Sequence, residues 1–213
     1  MSILVNLKIT LKDIGRRYNN EWIFRHINYT FESGKSYAIL GHNGSGKSTF
    51  LKVLSSSLTP SSGELIYTDG DQVLGVETIY QQLSLAAPYV ELIEEFTLNE
   101  LIDFHFKFKN YLPSFDKETV VNVLGLEHAL DREIRFFSSG MRQRVKLGLA
   151  CCSASALVLL DEPTSNLDSA GEQWYLRLIE RTKVESRLFI VCSNQKKEYE
   201  FCDESISIVD FKS

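Results

Sequence analysis

The run Gly41-His42-Asn43-Gly44-Ser45-Gly46-Lys47-Ser48-Thr49 fits the pattern G-x-x-x-x-G-K-[ST]. Glycines in such a run let the backbone curl until successive N–H groups face one phosphate, and a helix starting behind them adds partial positive charge. Lys47 would neutralise the β- and γ-phosphates, and the Ser48 hydroxyl would hold Mg²⁺. The pattern fixes few positions, so its weight comes from its setting. An apolar stretch, Ser36–Leu40, precedes it, and a helical-looking one, Phe50–Leu54, follows. Strand, glycine-rich loop and helix in that order imply a nucleoside triphosphate site.

A second set of chemical residues lies downstream. The apolar run Ala156–Leu160 ends in Asp161-Glu162-Pro163. Carboxylates are costly to remove from water without a compensating cation, so an acid pair directly after a buried strand suggests a metal site. Asp161 would hold Mg²⁺ through water, and Glu162 would polarise the attacking water. Phe137-Ser138-Ser139-Gly140-Met141 precedes the helical run Val145–Cys152. Hydroxyls and a glycine there read either as a plain helix cap or as a second anion cradle.

The elements that must position these residues alternate in texture. Val5–Leu11 and Ile23–Phe31 alternate apolar and polar residues, as half-buried antiparallel strands do. Pro60-Ser61-Ser62-Gly63 marks a turn, and Glu64–Tyr67 and Val76–Tyr80 are expected to add short strands. Thr97-Leu98-Asn99-Glu100 is a capping box that opens a helix, and Asp116–Leu124 and Glu127–Asp131 also read as helical. These define an inserted helical subdomain at about residues 90–140 within one domain spanning 1–213. Ala156–Leu160 and Arg187–Cys192 are near-continuous apolar runs, typical of parallel strands covered on both faces, with Ser169–Lys183 as the crossover helix. The fold class is α/β.

Composition narrows the setting. The 213 residues are 44% hydrophobic, and 23 basic against 28 acidic residues give a net charge of −5. Without a dense Lys/Arg run, no nucleic-acid partner is expected. No apolar run approaches a membrane span and no signal peptide is evident, so a soluble cytoplasmic protein is expected. Cys151, Cys152, Cys192 and Cys202 fit no metal spacing and read as free thiols in a reducing compartment.

Taken together, the motifs and their order resemble the ATP-binding cassette ATPases, the nucleotide-binding subunits of ABC transporters. The likeness spans nearly the whole chain. Phe137–Met141 is similar to the signature L-S-G-G-Q but departs at its first, third and fifth positions, in the manner of an export-type branch. Ser165-Asn166-Leu167-Asp168 is similar to the D-loop S-A-L-D. The resemblance implies the P-loop cassette fold, with an N-terminal antiparallel β portion and the inserted helical subdomain. It implies ATP and Mg²⁺ as ligands, Tyr18 as the adenine-stacking aromatic (Trp22 a weaker candidate), and a homodimer or heterodimer of cassettes. In that dimer Ser138, Ser139 and Gly140 of one copy would meet the γ-phosphate held by the other. It further implies a separately encoded transmembrane permease that holds the chain on the inner face of the cell membrane. That permease would dock beside Ala87–Phe104, where Glu91, Glu94 and Glu95 suggest a basic coupling helix.

Two family residues are displaced. The glutamine that normally contacts Mg²⁺ falls, without a gap, on Pro88; with a gap, Gln81 or Gln82 could serve, and Gln82 is taken as the metal candidate. The switch histidine is replaced by Asn194, which can donate to a γ-phosphate but cannot carry a proton at neutral pH. The leading reading is an ATP-hydrolysing subunit of an ABC exporter, with Glu162, Lys47 and Asn194 catalytic. The alternative is an ATP-gated switch that hydrolyses slowly. A soluble cassette acting on translation or DNA lacks its usual second cassette, and a GTPase lacks its N-K-x-D motif.

Overall fold

The computed structural model describes residues 6–212, so Val5 of the first expected strand lies outside them. Strand β1 (Leu7–Tyr18) and strand β2 (Glu21–Glu32) pair antiparallel, both longer than their alternation suggested. Leu7, Ile9 and Leu11 turn inward while Lys8 and Lys12 turn out, the period-2 sorting of a one-sided sheet. After β3 (Ser36–Leu40) and helix α1 (Lys47–Leu54), strand β4 (Ser62–Asp69) joins the other edge of β1, and β5 (Gln72–Val73) completes the order β2-β1-β4-β5.

Val76–Tyr80 is not a strand. It lies in helix α2 (Val76–Gln82), with Ile79 and Gln82 buried. An i, i+3 pair shares a helix face but would point to opposite faces of a strand. The β-favouring Val76, Thr78, Ile79 and Tyr80 misled the sequence reading, whereas burial follows the helical period.

Helix α2 leads into β6 (Leu83–Ala86). Helices α3 (Leu98–His105), α4 (Lys117–Leu124) and α5 (Ser139–Cys152) follow, with Glu127–Ala129 only a single 3₁₀ turn rather than a helix to Asp131. The capping box at α3 is formed: Thr97 Oγ1 accepts from the Glu100 amide at 3.2 Å, and Glu100 Oε2 accepts from the Thr97 amide at 2.9 Å. Strand β7 (Leu157–Asp161), helix α6 (Ser169–Thr182), strand β8 (Leu188–Ser193), the short helix α7 (Lys196–Tyr199) and strand β9 (Glu204–Ser207) close the chain.

The second sheet is parallel throughout, in the order β6-β7-β8-β3-β9. Its continuous apolar strands serve two cores. Leu157, Leu159, Leu188 and Ile190 face α1 and the antiparallel sheet, while Val158, Leu160, Phe189 and Val191 face α3 to α6. Burying one such aliphatic side chain contributes about 1.5–3 kcal/mol, so these strands anchor both layers.

Register decides what leaves the carboxyl edge. Leu40 pairs with Ser193, Asp161 with Cys192, and Ala86 with Leu160. The chain after β3, after β7, after β8 and after β6 therefore emerges side by side, where open α/β sheets carry their sites.

Candidate functional site

Gly46 ends the loop after β3 and caps α1 in a left-handed conformation, φ 107°. A Cβ there would stand 2.5 Å from Ile23 Cγ2, so a residue with a side chain meets both backbone strain and a clash. The same contact shows that β2 is pressed against the loop. Tyr18 pairs with Glu21 at the end of that hairpin, 46% exposed. The Arg16 guanidinium lies 4.7 Å from the Tyr18 ring centroid, a cation–π brace. Trp22 carries Arg17 in a similar way at 5.5 Å.

Lys47 is buried, and its Nζ donates to the carbonyls of Gly41 at 2.7 Å and His42 at 3.3 Å. Ser45 Oγ is buried with no hydrogen-bond partner. His42, Asn43, Gly44 and Thr49 complete the loop and first turn, with the His42 ring folded onto the Asn43 carbonyl.

Asp161 ends β7 almost fully buried, and its Oδ2 has no hydrogen-bond partner. Burial raises its pKa, opposed by the Ser48 hydroxyl that hydrogen-bonds it and by Lys47 and Lys52, while Glu162 adds to the rise. A buried, unpartnered carboxylate oxygen beside a serine hydroxyl is an oxygen donor set of the kind Mg²⁺ takes, so these residues fit a hard divalent cation. Glu162 follows with φ 45°, a strained conformation for a glutamate, and its amide donates to the Cys192 carbonyl at 2.9 Å.

The post-β8 loop approaches from the next strand. Asn194 Nδ2 donates to Asn43 Oδ1 at 3.1 Å, which puts the expected switch position directly against the phosphate loop. Gln82 does not join them. It precedes Leu83, which pairs with Leu157, so it sits at the amino end of the sheet. Asp161 lies about five residues further along, roughly 16 Å at 3.3 Å per residue. Gln81 shares that end, and neither glutamine reaches the carboxylate. The residue that does approach is Tyr89, which the sequence reading passed over. Its ring is capped by Lys52 Nζ at 4.3 Å, and burial with the nearby Asp161 and Cys192 holds its phenol well above the usual tyrosine pKa.

Ser138 is the N-cap of α5, its Oγ accepting from the Met141 amide at 3.2 Å. Gly140 lies so close to the Asn166 carbonyl that a Cβ would stand 3.2 Å away. Ser138, Ser139 and Gly140 thus share one face with Asn166 and Asp168, and among the described residues no hydrogen bond or ion pair joins them to the phosphate loop. Two buried side chains fix the turn after the acid pair: Gln143 Nε2 of α5 donates to the Pro163 carbonyl at 2.8 Å, and Glu198 of α7 accepts from the Thr164 amide at 2.9 Å. Neither contact was foreseen from sequence, because both join groups distant in the chain.

A separate apolar groove of about 330 Å³ is lined by Leu85, Val90, Leu92, Phe104, Phe108 and Lys146 among others. Phe108 is 73% exposed there. Glu94 is not free in the neighbouring segment; it pairs with Arg142 at 2.8 Å. Among the described residues no group of His, Cys, Asp and Glu has a metal-binding arrangement of its own, and no helix is long and apolar enough to cross a membrane.

Comparison with known proteins bears on the family and the fold. The ABC transporter family model matches residues 24–165. The arabinose import ATP-binding protein AraG of Yersinia pestis is 27% identical over 209 residues, covering 94% of this chain and 40% of that protein. The linearmycin resistance ATP-binding protein LnrL of Bacillus subtilis is 28% identical over 204 residues, covering 93% of this chain and 65% of its own length. The chain thus spans less than two thirds of these curated relatives. A putative ABC transporter ATP-binding protein from Pyrococcus furiosus superposes with a TM-score of 0.80 at 20% identity, over 97% of this chain and 100% of that one. An ATP-bound bacterial Atm1-family ABC exporter does so with a TM-score of 0.81 at 18% identity, over 96% of this chain and 37% of that one. With the family model covering well over half of the chain, and the phosphate loop, acid pair and signature turn set on the fold of those structures, the chain belongs to the ABC transporter family as an ATP-binding cassette.

Proposed function

We propose that this chain is the ATP-binding and ATP-hydrolysing subunit of an ABC transporter, working as a pair of cassettes on a transmembrane permease. The observation that carries the reading is the buried Asp161 carboxylate oxygen with no partner, set beside Ser48 and followed by Glu162. In this reading the loop amides from Gly41 to Thr49 and Lys47 cradle the phosphates, and Tyr18 stacks on adenine. Bound Mg²⁺ would supply charge neutralisation across the β- and γ-phosphates. Ser48 and Asp161 would hold it. Glu162 orients a water and takes its proton as the water oxygen bonds to the γ-phosphorus. The bond to the bridging oxygen breaks, and ADP leaves with the electron pair. Asn194 donates its amide to the γ-phosphate oxygens.

The separation of Ser138–Gly140 from the phosphate loop supports a second copy, homologous or identical, that completes each site in trans. The helices at about 90–140 would then act as the subdomain that carries this face. The apolar groove supports docking of the permease by apolar contact, flanked by Lys146 and Glu91, rather than by acidic charge alone. That attachment would hold the chain at the inner membrane face. We favour export, on the signature Phe137–Met141.

Steady-state ATP hydrolysis with Mg²⁺ at rising protein concentration tests the proposal. Turnover that climbs faster than linearly and vanishes in Glu162→Gln is expected; turnover untouched by that change overturns it. The second reading is an ATP-gated switch with slow hydrolysis, favoured by Asn194 where the family has histidine. ATP binding with no turnover, even with the permease present, would select it.

A further inference from the structure

The carboxyl edge of the parallel sheet carries one more group than the site needs for binding alone. Ala86 pairs with Leu160, so Ala87 stands beside Asp161 and the chain then turns away from the sheet at Pro88. Tyr89 is the first side chain after that turn. Its ring lies under Lys52 of α1, and Lys52 is itself near enough to Asp161 to lower that carboxyl's pKa. Tyr89 is therefore held against the helix that follows the phosphate loop, two residues beyond the position that stands beside Asp161, with 40% of its surface still exposed.

The segment around it is gripped from the other side. Lys146 of α5 donates to the carbonyls of Pro88 at 3.3 Å and Ala87 at 3.5 Å. Arg142, one turn earlier on α5, pairs with Glu94. That helix begins at Ser138 and Ser139. Immediately beyond Tyr89, Val90, Leu92 and Ile93 line the apolar groove. One short segment thus leaves the sheet beside the metal-side carboxylate, touches the signature helix and lines the groove.

We infer that Tyr89 is the positioning residue on the metal side of the ATP site, its hydroxyl hydrogen-bonding the shell of Asp161 and thereby setting the segment 87–93 that joins the site to α5 and the groove. A phenol can donate one hydrogen bond and accept another, which suits a position between a carboxylate and a metal-bound water. Neither Gln81 nor Gln82 can fill the position, because both lie at the opposite end of β6. Pro88 has no side-chain donor.

The inference rests on the proposed ATP site, and two readouts keep the two separable. Fluorescent ATP-analogue titration, with Mg²⁺ and with EDTA, is made on wild type, Tyr89→Phe and Tyr89→Gln beside steady-state hydrolysis. Tyr89→Phe keeps the ring and the Lys52 contact and removes only the hydroxyl. It should leave affinity in EDTA unchanged, shrink the Mg²⁺-dependent gain in affinity several-fold, and lower kcat about tenfold with KM within twofold. Tyr89→Gln, which restores a donor, should recover part of both. Tyr89→Phe indistinguishable from wild type in the Mg²⁺-dependent gain and in kcat overturns the inference while the ATP site stands. A wild-type chain that binds no ATP analogue removes both. Should wild type bind without turnover, the Mg²⁺-dependent gain alone decides.

Discussion

Glu198 accepts the Thr164 amide at 2.9 Å, with the Thr164 and Ser193 hydroxyls also donating to its carboxylate. It is fully buried, on α7, and has no cationic partner among these contacts. The three donors come from the turn after the acid pair and from the end of β8, so one carboxylate fixes both loops. Charge-assisted hydrogen bonds each contribute about 1.5–3 kcal/mol, and losing the acceptor leaves buried donors unpaired. Glu198→Ala should cost roughly 3–5 kcal/mol of stability, read as a lowered urea midpoint with little change in slope. Glu198→Gln, still able to accept, should cost less than half as much. Equal loss in both would mean that packing, not hydrogen bonding, holds the turn.

The Asn194–Asn43 contact at 3.1 Å couples the end of β8 to the phosphate loop through two neutral amides. Neither amide titrates near neutral pH, so this coupling is independent of pH. Asn194→Ala should reduce kcat by about 10²-fold or more if the amide meets the γ-phosphate in the transition state, with ATP affinity nearly unchanged. Asn194→His should introduce a pH dependence of kcat near the imidazole range that wild type lacks. A flat profile in Asn194→His would place residue 194 outside the reacting group.

How much of this was legible in sequence depended on the range of the interactions. The capping box at Thr97 and the buried strands expected at Ala156–Leu160 and Arg187–Cys192 follow from local spacing; the box formed, and the strands lie one residue further on, at Leu157–Asp161 and Leu188–Ser193. The strand expected at Val76–Tyr80 did not form, because β-branched composition outweighed a weak i, i+3 signal in a short element. Tyr89 and Gln82 are the instructive pair. Aligning the chain by residue type favoured a glutamine, but strand register decides which end of β6 faces Asp161, and register is a long-range property. Glu198 and Gln143 were invisible for the same reason: each acts on a backbone group 20 or 34 residues away.

Gly46→Ala probes the loop conformation. At φ 107° the added methyl is strained, and it also meets Ile23 Cγ2 at 2.5 Å. We expect a loss of about 1–3 kcal/mol of stability together with loss of ATP-analogue binding. Ile23→Ala added to Gly46→Ala opens the clash but leaves the φ strain, so stability should recover in part while binding stays weak. Full recovery of binding in the double variant would show that the clash alone, rather than the curl of the loop, had disabled the site.

His105 supplies the acid limit. It is mostly buried on α3, its Nε2 facing Ser153 Oγ at 2.8 Å, with Lys109 nearby. Burial, then the Lys109 charge, lowers its pKa from 6.5 to about 4. The unfolded chain therefore binds a proton at higher pH than the folded chain does, and protons favour unfolding. Stability linked to this group is full above pH 6.5 and falls as the pH drops toward 4, by at most about 3 kcal/mol. Urea unfolding at pH 7.5 and pH 4.5 should show a larger drop for wild type than for His105→Gln, which has no titrating ring. Equal drops in the two proteins would assign the acid sensitivity to carboxylates instead. The same comparison in salt separates the Lys109 contribution, because added salt weakens the charge repulsion far more than it alters burial.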